Sequence, residues 1–254
     1  NIRPGARFSK NSVYDAPPVI PSLNTKIALN KKTDLRLSYG RGFRAPALRE
    51  LYFDFHDANH SINGNPDLKA EYSNSFTGSL AVQAIEKPDL KLSSSLTGFY
   101  NHFKNRIDIA SNVNPSRPNE YYYINVYQYK TTGGTLENTL HWKKLQATLG
   151  VSYIGRYNDY FGDGTYDNNK QLPQFVWSPE VNSNILYHIS KAGVKLGLFY
   201  KYTGKLPQYQ LITATNGQQS VVLGTIAGFH TADFTASKNI GRYAILNTGV
   251  ENIF

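Results

Sequence analysis

The sequence contains no cysteine and no methionine, and only 2 of its 254 residues are tryptophan. Without cysteine the chain can form neither a disulfide framework nor a thiolate metal site. No apolar run approaches the roughly 18 residues that a membrane-spanning helix needs. The chain starts at Asn1 with no signal-peptide pattern. Because a translated chain starts with methionine, we expect either a processed N-terminus or part of a longer protein.

Tyrosine is the abundant aromatic residue, with 19 copies in the chain. Its ring favours half-buried pleated surfaces and water–lipid boundaries, where an apolar body carries a polar tip. The hydrophobic fraction is 40%, which argues against stacked apolar helices. The length allows one large β-domain and does not require two domains.

The formal charge is +9, from 27 basic and 18 acidic residues. Nucleic-acid binding requires such charge to cluster on one face. Here much of it lies in short polar segments that resemble turns, as at Lys31, Lys32, Lys143, Lys144 and Arg242. We therefore predict solvated turn lysines and no nucleic-acid partner.

Apolar and polar residues alternate with a period of two over most of the chain, which predicts β-strands. In "LQATLGVSY", for example, Leu149, Val151 and Tyr153 share one face and small polar residues share the other. The segments are about 10 to 20 residues long, the length of tilted membrane strands rather than of strands in a soluble sandwich. The predicted strands are 2–9, 21–30, 34–43, 70–84, 89–110, 120–142, 145–160, 174–189, 193–210, 228–240 and 243–254.

Short turns alternate with long irregular segments along the chain, which is typical of an up-and-down outer-membrane barrel. The long segments are predicted at 44–69, 111–119, 161–173 and 211–228. The strand count is eleven, whereas single-chain bacterial barrels have an even count. Since a bilayer does not tolerate an open sheet edge, we expect these strands to be part of a larger barrel.

Four short motifs resemble the barrel of TonB-dependent outer-membrane receptors: "YGRGFRAP" (39–46), "ELYF" (50–53), "GNPDLKAE" (64–71) and "GVENIF" (249–254). Ala70 is a minor departure, because the family usually has proline there. The two central boxes consist of Phe43, Arg44, Ala45 and Pro46, and of Asn65, Pro66, Asp67 and Leu68.

The resemblance implies an all-β, antiparallel transmembrane barrel of 22 strands that is plugged by an N-terminal domain. Residues 1–254 would be a partial C-terminal barrel domain without the plug, the early strands and the final strand. The implied location is the outer membrane of a Gram-negative bacterium. The implied function is TonB-dependent import of a scarce ligand, such as an iron complex or haem, with no enzyme activity and no required cofactor. The expected partners are TonB through the plug, outer-membrane lipid and lipopolysaccharide, and a surface lipoprotein that caps the barrel.

The segment 44–69 contains His56 and His60 between the two motif boxes. Haem receptors of the family resemble this region, and imidazole is a good iron ligand. His56 and His60 are therefore candidate haem-iron ligands, with a hydrogen-bonding surface role as the alternative. The boxes occur across the family whatever the cargo, so the histidines alone do not select haem.

Other candidate ligand contacts are Arg44, for an anionic ligand, and Tyr121, Tyr122 and Tyr123, which could grip a planar or catecholate ligand. The alternative for the tyrosines is an aromatic girdle. Asp163, Asp167 and Asn168 form a weak calcium candidate, because the segment lacks the spacing and the distal glutamate of an EF-hand.

Three other classes stay open on sequence alone. A passive porin shares the strand rhythm, a soluble β-rich binding module shares the alternation, and an outer-membrane enzyme could place a catalytic dyad on the rim. No G-x-S-x-G motif is present to favour the enzyme. For a receptor, siderophore, haem, corrinoid and glycan are all possible cargoes.

Overall fold

The structure is a computed structural model that describes residues 1–57, 61–112, 119–160, 162, 175–213 and 219–253. It consists almost wholly of antiparallel strands, with one short helix. Among the described residues, no helix is long and apolar enough to cross a bilayer. The elements are β1 (Ile2–Phe8), β2 (Val19–Asn30), β3 (Thr33–Arg44), α1 (Leu48–Tyr52), β4 (Phe55–His56), β5 (Ser61–Asn63), β6 (Glu71–Lys87), β7 (Leu90–Asn112), β8 (Glu120–Trp142), β9 (Leu145–Asp159), β10 (Phe175–Ile189), β11 (Val194–Thr203), β12 (Leu206–Thr213), β13 (Gln219–Ile226), β14 (Phe229–Ile240) and β15 (Ala244–Val250).

Eleven strands form the barrel wall in the order β1-β2-β3-β6-β7-β8-β9-β10-β11-β14-β15. Every neighbouring pair in this order is antiparallel, so the predicted up-and-down strands are confirmed. Tight turns join them at one end, and positive φ angles at Lys143, Gly193 and Gly241 allow three of these turns. Within the described residues β1 and β15 each pair with one strand, so the sheet is open.

One face of the wall is apolar and exposed. Leu80, Leu96, Leu136 and Val151 are aligned across four strands by the pairing register. They remain 37%, 57%, 47% and 46% exposed. A row of large exposed apolar side chains is the surface that a barrel presents to lipid.

The opposite face is polar and carries ladders of short side chains. Thr97 donates to Ser79 at 3.1 Å, and the hydroxyls of Thr135 and Ser152 lie 2.9 Å apart. Because side chains alternate across a strand, this second face is the inner wall of the barrel.

Two predictions for the region 193–228 were wrong in detail. The predicted strand 193–210 is interrupted after Thr203, where Gly204 donates its N–H to the Pro179 carbonyl at 2.9 Å. A Cβ atom at Gly204 would lie 2.6 Å from the Ser178 hydroxyl, so the chain turns tightly against β10 here. The predicted irregular segment 211–228 contains part of the β12–β13 hairpin.

The last strand is also shorter than predicted, because it ends at Val250 rather than at 254. Asn252 has a φ of 52°. Its N–H donates to the Asp233 carboxylate at 3.0 Å, which holds the chain away from the strand path. By contrast, β6 continues beyond the predicted end at 84, across a register shift between Gln83 and Ile85.

Beyond the wall, β7 and β8 continue past their neighbours and form the centre of a branch of the same 15-stranded sheet. The strand order of this branch is β4-β5-β8-β7-β12-β13, and we call it the cap sheet. Two of its contacts are parallel: Ser61 pairs with Glu120, and Gln210 pairs with Ser111. The cap sheet therefore joins three connections that are distant in sequence. It lies at the end with the long loops, which is the extracellular end of such a barrel.

Candidate functional site

Arg44 ends β3 and anchors the helix that follows. Its Nη1 donates to both carboxylate oxygens of Glu50, at 2.9 and 2.8 Å. Its Nη2 lies 3.6 Å from the Glu71 carboxylate. Glu50 also accepts the N–H of Ala47 at 2.7 Å, so the same carboxylate fixes the start of α1. The charge of Arg44 is thus balanced by two acids, which leaves it a poor free cation for an anionic ligand.

The second motif box ties the segment 44–69 to β8. Asn65 donates its side-chain amide to the Tyr123 carbonyl at 2.9 Å, and its Oδ1 accepts the N–H of Asp67 at 3.0 Å. Leu68 is 3% exposed and packs with Leu51, Ile107 and Tyr123. The geometry gives Phe43–Arg44 and Asn65–Leu68 a structural role in docking this segment.

Further hydrogen bonds lock the same segment to the β7–β8 hairpin. Asn125 accepts the N–H of Lys69 at 2.7 Å and donates to the carbonyls of Lys69 and Asn105, at 3.1 and 2.9 Å. Glu71 accepts the N–H of Ile107 at 3.0 Å. Asn105 has a φ of 53°, so β7 changes course at this residue.

His56 lies on the two-residue strand β4 and is exposed to solvent. Its Nδ1 is 2.8 Å from the Ser61 hydroxyl, its cross-strand partner. His60 lies outside the described residues. The structure thus positions one of the two histidines, and haem ligation by either residue stays a prediction.

The three tyrosines at the start of β8 have different environments. Tyr121 is half-buried and pairs with Ile62 and Ser111. The Tyr122 hydroxyl donates to Glu120 at 2.6 Å. Tyr123 is only 9% exposed, so its ring is part of the core beneath the cap sheet. Their predicted ligand contacts remain untested.

The β12–β13 hairpin packs on the other part of the cap sheet. Tyr209 and Val221 form a buried cluster with Ala110, Ile124 and Val126. The Tyr209 hydroxyl donates to Oδ1 of Asn158. Tyr160 packs against this cluster, and burial raises the pKa of its phenol above the ordinary value. The alternation of side chains in β12 ("LPQYQLIT") and β13 ("QSVVLGTI") is the sequence signal that indicates this hairpin.

A cavity of about 570 Å³ opens on the inner wall just below the segment 44–69. Its polar lining includes Arg7, Ser22, Arg44, Glu71 and Ser73. Arg7 donates to the Phe43 carbonyl at 3.4 Å. Within the described residues Arg7 pairs with no carboxylate, so it is an uncompensated cation on the inner-wall side of this rim cavity. Arg41 also borders the cavity, but strand alternation places its side chain on the opposite face of the wall. Arg7 lies between Ala6 and Phe8 in β1, outside any motif, so the sequence gave no signal for it.

A partly buried ion pair lies further round the inner wall. Nη2 of Arg156 is 2.7 Å from the Glu180 carboxylate, and the two side chains are 16% and 17% exposed. Nη1 of Arg156 and the hydroxyls of Ser178 and Thr203 have no hydrogen-bond partner among the described residues. This part of the wall can accept further polar contacts from a ligand, water or another part of the barrel.

The weak calcium candidate, formed by Asp163, Asp167 and Asn168, lies outside the described residues. Among the residues that are described, no three acidic or histidine side chains are grouped as a metal site.

A family model described as "TonB dependent receptor-like, beta-barrel" matches residues 1–253. An iron-regulated outer membrane virulence protein of Vibrio cholerae is 35% identical over 102 residues, which cover 36% of this chain and 15% of the relative.

Solved receptors have the same fold at low sequence identity. A ferric enterobactin receptor mutant of Pseudomonas aeruginosa, in complex with enterobactin, is 20% identical with a TM-score of 0.62, covering 100% of this chain and 37% of that one. A siderophore receptor of Pseudomonas aeruginosa is 19% identical with a TM-score of 0.61, covering 99% and 39%. The chain therefore spans less than half the length of the proteins it matches.

Proposed function

The chain belongs to the TonB-dependent receptor β-barrel family, and we propose that the complete protein imports an iron complex across the outer membrane. The barrel is an outer-membrane protein, and the family consists of transport receptors. The iron-regulated relative and the siderophore receptors among the structural neighbours support an iron complex as cargo. TonB is the proposed energy-coupling partner of the complete protein.

The rim cavity carries this proposal. Arg7 supplies a positive charge without an acidic partner, and Ser22 and Ser73 add hydroxyl groups on the same inner wall. Ferric catecholate complexes are anions with many oxygen acceptors, which guanidinium and hydroxyl donors bind well. An anionic ferric complex therefore suits the rim better than an apolar or cationic cargo.

The cap sheet supports a receptor rather than a passive pore. It joins three extracellular connections, so a ligand that contacts one of them also biases the position of the others. A ligand shifts such an equilibrium only by its difference in affinity for the two arrangements. TonB would then supply the work of transport, and no covalent chemistry is needed.

Haem is the second candidate cargo, and His56 is the observation that favours it. The Ser61 hydroxyl contacts Nδ1 of His56. Nε2 is therefore the ring nitrogen that is available to coordinate haem iron. His60 would be the alternative or additional ligand. A siderophore remains the first candidate, because the rim cavity involves no histidine.

A binding titration of the complete receptor in detergent tests the cargo, with ferric enterobactin and haemin as separate probes. Arg7→Gln should weaken binding of the ferric complex about tenfold, the effect of losing one charge-assisted hydrogen bond. The matched control is Arg3→Gln, which removes the same charge four positions away in β1. Equal affinities of wild type and Arg7→Gln would contradict the role of the rim cavity.

For haem the comparison is between wild type, His56→Ala and His60→Ala, followed in the Soret region. Loss of saturable haemin binding in one variant would identify the iron ligand. Saturable binding that survives in both would move the iron ligand elsewhere. No haemin binding to wild type would exclude haem as cargo.

A further inference from the structure

The lipid-facing side of the wall carries a cluster of basic and amide side chains at its extracellular end. The pairing register aligns Arg41 with Asn74, Asn74 with His102 and His102 with Lys130, across four neighbouring strands. Lys104, one step further out on β7, lies on the same face. We call these five residues the basic patch.

The basic patch directly follows the aromatic edge of the apolar surface. Tyr39, Phe76 and Tyr100 form the next aligned row on this face, two residues away from Arg41, Asn74 and His102 on the same strands. The Tyr39 hydroxyl donates to Oδ1 of Asn74 at 2.9 Å, which links the two rows. Aromatic girdles mark the membrane–water boundary, so the basic patch lies at headgroup level in the outer leaflet.

The part of the chain that the structure describes supplies no counter-charge to the patch. Among the described residues, Arg41, Lys104 and Lys130 form no ion pair with a carboxylate. Nζ of Lys130 lies 4.7 Å from the centre of the Tyr157 ring, which orients the ammonium without neutralising it. Nε2 of His102 is buried and has no hydrogen-bond partner in the described structure.

The acids nearest to the patch are engaged elsewhere or lie at its margin. Asp159, which pairs with Gln128 across the strands, is 4% exposed and accepts the N–H of Gly162 at 2.9 Å. The backbone carbonyl of Asp15 accepts a hydrogen bond from the Tyr72 hydroxyl at 2.6 Å. Asp15 is exposed and lies at the outer margin of the basic patch.

We propose that the basic patch binds the phosphate group of an outer-leaflet lipid, with Arg41, Lys104 and Lys130 as the charged donors. Asn74 directs its Oδ1 to Tyr39, so its NH₂ group can add a donor. The apolar surface next to the patch accommodates the acyl chains of the same lipid. Arginine and lysine are the usual phosphate ligands in proteins, and the low dielectric of the interface strengthens such contacts. Arg41 also borders the rim cavity, but strand alternation places its side chain on the lipid-facing side with Tyr39. The ligand is a phosphorylated lipid, because the patch is continuous with the lipid-facing surface.

The test counts lipid bound to the complete receptor by native mass spectrometry after incubation with diphosphoryl lipid A. The triple variant R41Q/K104Q/K130Q should lower the apparent affinity about tenfold or more, since three charge-assisted contacts are lost. The matched control is K31Q/K87Q/K144Q, which removes the same charge from exposed turns at the opposite end. The single variant K104Q, at an exposed position, serves if the triple variant does not fold.

Retained affinity in R41Q/K104Q/K130Q and K104Q, or an equal loss in the control, would overturn the proposal. So would equal binding by wild type of lipid A from which both phosphates have been removed. Millimolar inorganic phosphate should not displace the lipid. Full displacement would mean a site for free phosphate, and this would also overturn the proposal.

Discussion

Asn65 lies 58 residues before Tyr123 in the sequence, and its side-chain amide donates a 2.9 Å hydrogen bond to the Tyr123 carbonyl. This bond joins a family motif to the strand that carries the tyrosine cluster. The motif "NPDL" therefore fixes the position of the segment 44–69 against β8.

We predict that Asn65→Ala loosens the docking of this segment, because one buried carbonyl loses its donor and the N–H of Asp67 its acceptor. The expected cost is about 1–3 kcal/mol, confined to the cap sheet. Hydrogen exchange should rise at Leu68 and Asn125 but not in the lower half of β8. Asn11→Ala, in an exposed turn, is the control and should leave both regions unchanged. Unaltered exchange in Asn65→Ala would show that the bond is not needed for docking.

We predict that Gly64→Ala is destabilising, because the new Cβ would lie 2.8 Å from the Leu51 carbonyl oxygen and 2.9 Å from the Phe53 nitrogen. Backbone atoms cannot move aside cheaply, and such overpacking costs about 1–3 kcal/mol. Gly40→Ala is the matched control, since nothing lies within 4 Å of a Cβ atom there. Thermal unfolding in detergent compares the two, and equal midpoints would contradict the close approach.

We predict a large effect of separating the Arg156–Glu180 pair. Either Arg156→Gln or Glu180→Gln leaves a mostly buried charge unpaired, which costs about 3 kcal/mol. The double variant should recover part of this loss. Denaturant unfolding of all four proteins gives the coupling energy, and additive single effects would mean that the two charges do not stabilise each other.

We predict that Tyr209→Phe loosens the β12–β13 hairpin without unfolding the barrel. The variant removes the hydroxyl that donates to Asn158, at a cost of about 1 kcal/mol. Hydrogen exchange should rise in β12 and β13 and stay unchanged in the wall strands. Tyr187→Phe, on the lipid-facing side, is the control. Increased exchange throughout β9 and β10 would show instead that Tyr209 supports the wall.

The strands of the barrel wall could be predicted, because the residue patterns that specify each strand and turn lie close together in the sequence. Alternation along each strand identifies the lipid-facing side, and polar residues with glycine mark the short turns. The prediction for β8, 120–142, coincides with the observed strand. The prediction of one strand over 193–210 was wrong at Gly204. The alternation continues there from Tyr202 to Leu206, but the backbone turns against Ser178. Packing against another strand decides this turn, and no local pattern reports such packing.

The cap sheet and the rim cavity could not be predicted for the same reason. The parallel contacts of β5 with β8 and of β7 with β12 connect segments from different parts of the chain. Arg44 was predicted as a ligand contact from its charge alone, but Glu50 and Glu71 balance that charge in the fold. Arg7, which lies in no motif, is the residue that brings an uncompensated charge to the inner-wall side of the cavity, among the residues that the structure describes.

The central claim is energised import of an iron complex, and uptake of radioactive iron by whole cells tests it most directly. Cells that express the complete receptor would be supplied with the ferric siderophore, with and without TonB, and with the Arg7→Gln or Arg3→Gln variant. We predict uptake that requires TonB and falls in Arg7→Gln but not in Arg3→Gln. Uptake at the same rate without TonB would contradict the account and indicate a passive pore.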